Sequence, residues 1–140
     1  MRLLEGTNKP MIYIGNLKDA SNETLLKKFG IGIVFNVCND IATPIFPDCV
    51  YLKWGLDDPK LGLAFKNDLN AAAAVLDLAV YTHARRDDNI LIHCAAGNNR
   101  SALVAAHWLN VYRNVKFKKA IKRAQVKDKK NWMIDKGFIW

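Results

Sequence analysis

The chain has 140 residues, 51% of them apolar and 24% charged, with a net charge of +8. That length suits one domain, residues 1–140, large enough to bury a proper core. No stretch approaches the roughly 20 uninterrupted apolar residues of a membrane span, and Met1-Arg2-Leu3-Leu4-Glu5-Gly6 lacks the apolar run of a secretory signal. An intracellular, cytoplasmic setting is expected, the nucleus included. Cys38, Cys49 and Cys94 form neither a CxxC pair nor a dense even-numbered framework, which excludes a disulfide scaffold and a structural zinc site. His83, His93 and His107 lack ligand spacing, so no metal is expected.

Met11-Ile12-Tyr13-Ile14 reads as a strand closed by a turn at Gly15-Asn16. Ser21 then reads as an N-cap, with Leu25, Leu26 and Phe29 on one helical face and Gly30 ending the helix. Ile31 to Val37 is β-branched and aromatic, the pattern of a strand buried on both faces. Val50 to Trp54 is another strand, followed by a polar loop from Gly55 to Gly62. Leu63 to Ala84 predicts a long helix with Leu69, Ala72, Ala73, Leu76, Ala79 and Val80 inward. After a charged turn, Asn89 to His93 is a short apolar run, a central strand. From Ser101 the chain is helical again, with Leu103, Val104, His107, Trp108 and Val111 near helical spacing, and a further helix starts at Lys116. A short element ends at Trp140. Strands alternating with helices predict an α/β domain around a mostly parallel sheet of four to five strands, flanked by helices.

Charge is uneven along this order. Residues 1–112 carry 11 Lys/Arg and 11 Asp/Glu, whereas residues 113–140 carry 10 Lys/Arg against Asp128 and Asp135. The basic C-terminal helices are either a docking surface for an acidic or nucleic-acid partner or a solvated helix face.

The chemistry concentrates in His93-Cys94-Ala95-Ala96-Gly97-Asn98-Asn99-Arg100-Ser101, which joins a buried strand to a helix. Successive backbone N–H groups around Gly97 can point at one centre, and the helix N-terminus adds its positive dipole end. Arg100 can grip two phosphate oxygens in a planar fork. The same fields favour a thiolate at Cys94, and a thiolate facing a bound phosphate is a nucleophile aimed at phosphorus. Cys38 and Cys49 have no such surroundings and are assigned to the core. Asn98 and Asn99 suit turn conformations, His107 and Trp108 suit helix core or surface, and Asn16 and Asn36 either cap turns or brace the loop.

This loop resembles the His-Cys-x5-Arg-Ser/Thr signature of the protein tyrosine phosphatase superfamily, dual-specificity branch, and is close to that of its poxvirus members. Tyr13 to Ala20, Gly30 to Val37 and Trp54-Gly55-Leu56-Asp57-Asp58-Pro59 are similar to the opening strand, second strand and general-acid loop of that family, so the resemblance covers most of residues 11–125. It implies the cysteine-phosphatase fold, with the phosphate-binding loop between a central strand and a helix, and no cofactor. Cys94 would be the nucleophile and Arg100 the transition-state binder. Ser101 would hydrogen-bond the sulfur, and His93 would orient the loop and help set the cysteine pKa. Backbone amides of Ala95, Ala96, Gly97, Asn98, Asn99 and Arg100 would hold phosphate oxygens. Asp58 falls where the family's general acid stands, with Asp57 as the alternative.

The implied activity is hydrolysis of phosphotyrosine and phosphoserine/threonine in proteins. An RNA 5′-triphosphatase is the alternative suggested by Asn99 and the basic tail, although that version of the loop usually lacks an acid. Phosphoinositide hydrolysis would favour extra basic residues that this loop does not carry. A non-catalytic phosphate-binding module has no need of Cys94, Arg100 and an acid loop together.

Overall fold

The computed structural model describes residues 1–4, 9–56, 63–83, 87–95 and 100–127, without the side chains of residues 63–65 and 83. The expected short element towards Trp140 and the two aspartates of the acid loop lie outside these residues.

The longest β-branched run forms the strand β3 (Ile31–Cys38), and all eight of its residues are buried. It lies beside β5 (Asn89–His93), which pairs on its other side with β2 (Ile12–Gly15). The strand β4 (Val50–Leu56) closes one edge and β1 (Arg2–Leu3) the other, giving the order β1-β2-β5-β3-β4. Among the described strands, only the β1–β2 pair is antiparallel. This is the expected mostly parallel sheet. Two residues of β1 are too few to leave a periodic signal, and its pairing comes from Arg2 standing opposite Ile14.

Alternation along the central strands splits the core in two. Val34 and Leu91 face one layer, with Ala20 and Leu26 from α1 (Leu17–Ala20) and α2 (Glu23–Lys28). Ile33, Phe35, Ile90 and Ile92 face the other, packed by α3 (Leu63–His83), α4 (Arg100–Arg113) and α5 (Phe117–Ala124). Covering on both faces is why the central strands read as unbroken apolar runs.

Four local expectations need correction. Gly15-Asn16 leads into a helical turn: the Asn16 side chain accepts from Asp19 N at 2.8 Å, and the Asp19 carboxylate accepts from Asn16 N at 3.0 Å. This reciprocal box nucleates α1. Ser21 ends that helix, its hydroxyl donating to the Leu17 carbonyl, and the N-cap of α2 is Asn22, which accepts from Leu25 N at 3.1 Å. The strand β4 runs two residues past Trp54 to Leu56, because Gly55 lets it pass close to the chain at Asn39. A Cβ on Gly55 would stand 2.8 Å from the Asn39 Cα. Val111, in the last turn of α4 (Arg100–Arg113), is exposed. Gly30 does end the second helix, at φ +65°, a conformation that favours glycine.

All six inward positions expected of α3 are buried. Residues 100–109 of α4 are buried on every side, because the helix is wedged between the sheet, α3 and α5. His107 and Trp108 serve that packing: the His107 Nε2–H donates to Asn70 Oδ1, and Trp108 Nε1 donates to Asp77 Oδ1 at 3.0 Å. Burial pushes the His107 imidazole down from 6.5 to about 4. The unfolded chain therefore takes up a proton there before the folded one does, and stability falls as pH drops from 6.5 towards 4. Denaturant titrations at about pH 7 and about pH 4.5 should differ by on the order of 2 kcal/mol through this group. In His107→Gln, which cannot titrate, that difference should shrink. An unchanged difference would show that His107 carries none of it.

Candidate active site

In a parallel sheet the C-terminal ends of neighbouring strands face the same way, and a crossover beside the central strand leaves a crevice there. The register aligns Gly15, His93 and Asn36 across β2, β5 and β3, so Cys94 emerges at the centre of that edge. The helix α4 begins at Arg100, and its first turn carries Ser101. Ser101 Oγ lies 3.2 Å from Cys94 Sγ, and the two residues are 0% and 3% exposed. Ala95, half-buried, accepts a hydrogen bond from Leu17 N at 3.1 Å, so α1 holds the start of the loop from the far side of β2. Ala96, Gly97, Asn98 and Asn99 lie outside the described residues.

His93 is fully buried beneath the cysteine. Its Nδ1 is 3.2 Å from the Cys94 carbonyl oxygen and its Nε2 2.8 Å from Thr43 Oγ1. A carbonyl only accepts, so Nδ1 carries the proton and Nε2 of the neutral ring accepts from the threonine hydroxyl. Burial lowers the His93 pKa, opposed by the bond to Cys94, which keeps the ring neutral near pH 7. His93 therefore ties the Cys94 backbone to Thr43. Thr43 has no sequence signal: it reaches the histidine from a loop 50 residues away.

The Arg100 side chain is 10% exposed. Its Nη1 donates to Asp40 Oδ1 at 2.9 Å and to the Leu56 carbonyl at 3.1 Å. The Leu56 carbonyl also accepts from Asn39 N at 3.2 Å, joining the end of β4 to the turn after β3. Cys38, fully buried, donates its thiol to the same Asp40 oxygen at 3.2 Å, and burial pushes that thiol up to about 11. Asp40 was not among the residues singled out in the sequence. The available signal was topological: β3 and β5 are parallel, so an acid just past Cys38 stands on the same edge as Cys94. Among the described residues, Asn36 braces this turn, and Asn16 caps α1. Cys38 belongs to the core as expected, while Cys49 is half-buried, its thiol 3.4 Å from the Ile31 carbonyl. Asp57 and Asp58 lie outside the described residues, next along the chain from Leu56.

A buried thiol, a hydroxyl on its sulfur, a guanidinium and a helix N-terminus thus stand along one edge of the sheet. Residues 12–139 match the family described as the dual specificity phosphatase catalytic domain. The chain belongs to that family. Among curated relatives, Dual specificity protein phosphatase 22-A of Danio rerio is 30% identical over 108 residues, covering 74% of this chain and 48% of that protein. Dual specificity protein phosphatase 26 of Bos taurus is 27% identical over 132 residues, covering 93% of this chain and 61% of that protein. The chain thus spans about half to three-fifths of the length of these two relatives. The crystal structure of human DUSP28 superposes with a TM-score of 0.72 at 21% identity, covering 91% of this chain and 90% of that one, a likeness of fold.

Ser101 makes a direct prediction about the thiol. A hydroxyl donating to sulfur favours the thiolate, so Ser101→Ala should slow alkylation of Cys94 at neutral pH by roughly tenfold. Peptide mass analysis, with Cys38 and Cys49 as internal references, reads this at the right residue. Equal rates would remove Ser101 from any influence on the sulfur.

Proposed function

We propose that this chain is a cysteine-dependent phosphatase that hydrolyses phosphotyrosine and phosphoserine/threonine in proteins through a cysteinyl-phosphate intermediate. The observation that carries the reading is the 3.2 Å contact between Ser101 and the Cys94 sulfur at the N-terminus of α4, in a chain of the dual specificity phosphatase family. In the first step the Cys94 thiolate attacks phosphorus, the P–S bond forms and the ester P–O bond breaks. Asp58 gives its proton to the departing oxygen. In the second step water attacks phosphorus, Asp58 takes a proton from that water and the P–S bond breaks. The Ser101 hydroxyl then stabilises the departing thiolate, and Arg100 binds the equatorial oxygens in both steps. A catalytic thiol must remain reduced, which agrees with an intracellular location.

The test is turnover of a phosphotyrosine peptide, a phosphothreonine peptide, a phosphoinositide and 5′-triphosphorylated RNA. Phosphopeptides should be hydrolysed fastest, and Cys94→Ser should abolish turnover while still binding vanadate. Asp58→Asn should cut kcat on a phosphopeptide by roughly 10²–10⁴-fold, with far less loss on an ester whose leaving group needs no proton, and Asp57→Asn should be mild. The reverse pattern would exchange the two aspartates. Insensitivity of both, with fast phosphate release from RNA, would replace the reading with a 5′-triphosphatase.

The basic C-terminal segment supports substrate docking by charge. Its α5 part packs Ala120, Ile121 and Ala124 inward and exposes Lys118, Lys119 and Lys122. Lys119, Lys122, Arg123 and Gln125 line a recess of about 490 Å³. Among the described residues, no ion pair engages Lys118, Lys119, Lys122 or Arg123. Arg113 differs, because its guanidinium stacks on Trp108 at 4.9 Å. We assign the α5 face to an acidic segment of the phosphoprotein substrate. Replacing Lys118, Lys119, Lys122 and Arg123 by Gln should raise KM for an acidic phosphoprotein and flatten its salt dependence, with aryl phosphate kinetics unchanged. Equal KM on the phosphoprotein would return these charges to solvation.

A further inference from the structure

Arg100 is a buried cation, and a buried cation needs acceptors that compensate its lost hydration. Two of its acceptors, among the described residues, are unequal in kind. The Leu56 carbonyl belongs to the sheet edge, but Asp40 is a charged side chain 66% exposed, on the turn between β3 and β4. An exposed carboxylate ordinarily points into water, and several bonds prevent that here. The Asn36 side chain, 3% exposed as a residue, accepts from Cys38 N at 2.9 Å and donates to the Ile41 carbonyl at 2.7 Å, which fixes the turn on both sides of Asp40. Asn39 N is bonded to the Leu56 carbonyl, and Gly55 admits that close approach. The Cys38 thiol donates to Asp40 Oδ1. The Cys38 bond first, and Arg100 second, hold the Asp40 carboxyl below its ordinary range, so it is anionic at neutral pH.

Both the Asp40 and the Leu56 bonds fall on a single nitrogen, Nη1. Two acceptors on one nitrogen define the plane of a guanidinium, and a phosphate is gripped by the fork made from Nε and Nη2 on another edge. Had the carboxylate taken that fork bidentately, it would have been a competitor of phosphate. Held on Nη1 alone, it is an anchor.

We propose that Asp40 is a positioning residue of the phosphate site, which sets the plane of the Arg100 guanidinium through Nη1 so that its Nε/Nη2 edge meets the phosphoryl group above Cys94. The inference rests on the phosphatase reading, and it adds a residue from a turn outside the phosphate loop. Asp40 also joins three parts of the site, because its partner Arg100 is bonded to the last residue before the acid loop and opens α4. A shift of Asp40 therefore moves the guanidinium relative to both the nucleophile and the acid.

The test measures two quantities on wild type, Asp40→Asn and Asp40→Ala: kcat and KM for an aryl phosphate, and the affinity for tungstate, a tetrahedral oxyanion in place of phosphate. Loss of the anchor should lower kcat/KM by roughly 10- to 100-fold in Asp40→Ala, the scale of an ångström-level misplacement. Tungstate affinity should weaken in the same order, with Asp40→Asn intermediate because its amide oxygen still accepts. In an Arg100→Lys background, Asp40→Ala should cost much less, since its effect runs through the guanidinium. Thermal melting should fall in Asp40→Ala, because a buried cation loses an acceptor. A purely structural role would instead cost the same kcat/KM in both backgrounds and would leave tungstate affinity per folded molecule unchanged. Unchanged or tighter tungstate binding in Asp40→Ala, with equal or higher kcat/KM, overturns the proposal and makes Asp40 a competitor of phosphate. A wild type that hydrolyses nothing would sink the phosphatase reading alone, because oxyanion affinity still decides the role of Asp40.

Discussion

Burying one guanidinium organises this molecule. Arg100 begins α4 at the edge of the sheet where little water reaches it, and its charge must be met by protein groups. Among the described residues, such groups come from the turn after β3 and the end of β4, so a single side chain pins α4 to two strands that precede it. The β3–β4 connection could otherwise leave the sheet in many directions. Here it folds back with Asn39 bonded to Leu56, and the glycine at position 55 makes room for it.

The other buried polar groups follow the same economy. His93 spends both ring nitrogens on the Cys94 backbone and Thr43, and Asn36 spends its amide on the turn at Cys38 and Ile41. Both hold backbone at the C-terminal edge of the sheet, at Cys94 and in the turn after β3. A buried, satisfied network of this kind rigidifies the site at a distance from the chemistry, where an unsatisfied one would destabilise it.

The packing of α4 serves the same end. Its first ten residues run Arg-Ser-Ala-Leu-Val-Ala-Ala-His-Trp-Leu, and the alanines let it sit close to the sheet while α3 and α5 press from the other sides. Asn70 and Asp77 of α3 bond His107 and Trp108, which fixes the rotation of α4 about its axis and hence the direction of Ser101 at its start. The exposed charge of α5 lies on the outer side of this layer, away from its buried Ala120, Ile121 and Ala124.

Most of the frame was legible because it depends on local pattern. The β-branched runs at Ile31 and Asn89 and the six inward positions of α3 lie within short windows of sequence, and each took the expected form. Cys94, Arg100 and Ser101 also lie within one short window. Short-range capping was harder, since Ser21 and Asn22 are both good caps and only the competing box at Asn16 and Asp19 decides between them. By itself, then, the sequence determined the α/β class, the order of the strands' apolar runs and the identity of the loop that carries the thiol. The partners Asp40, Thr43 and the Leu56 carbonyl were decided by the tertiary structure alone. They stand 44 to 60 residues from the groups they bond, and only the parallel alignment of strand ends, a property of the whole sheet, brings them to one edge.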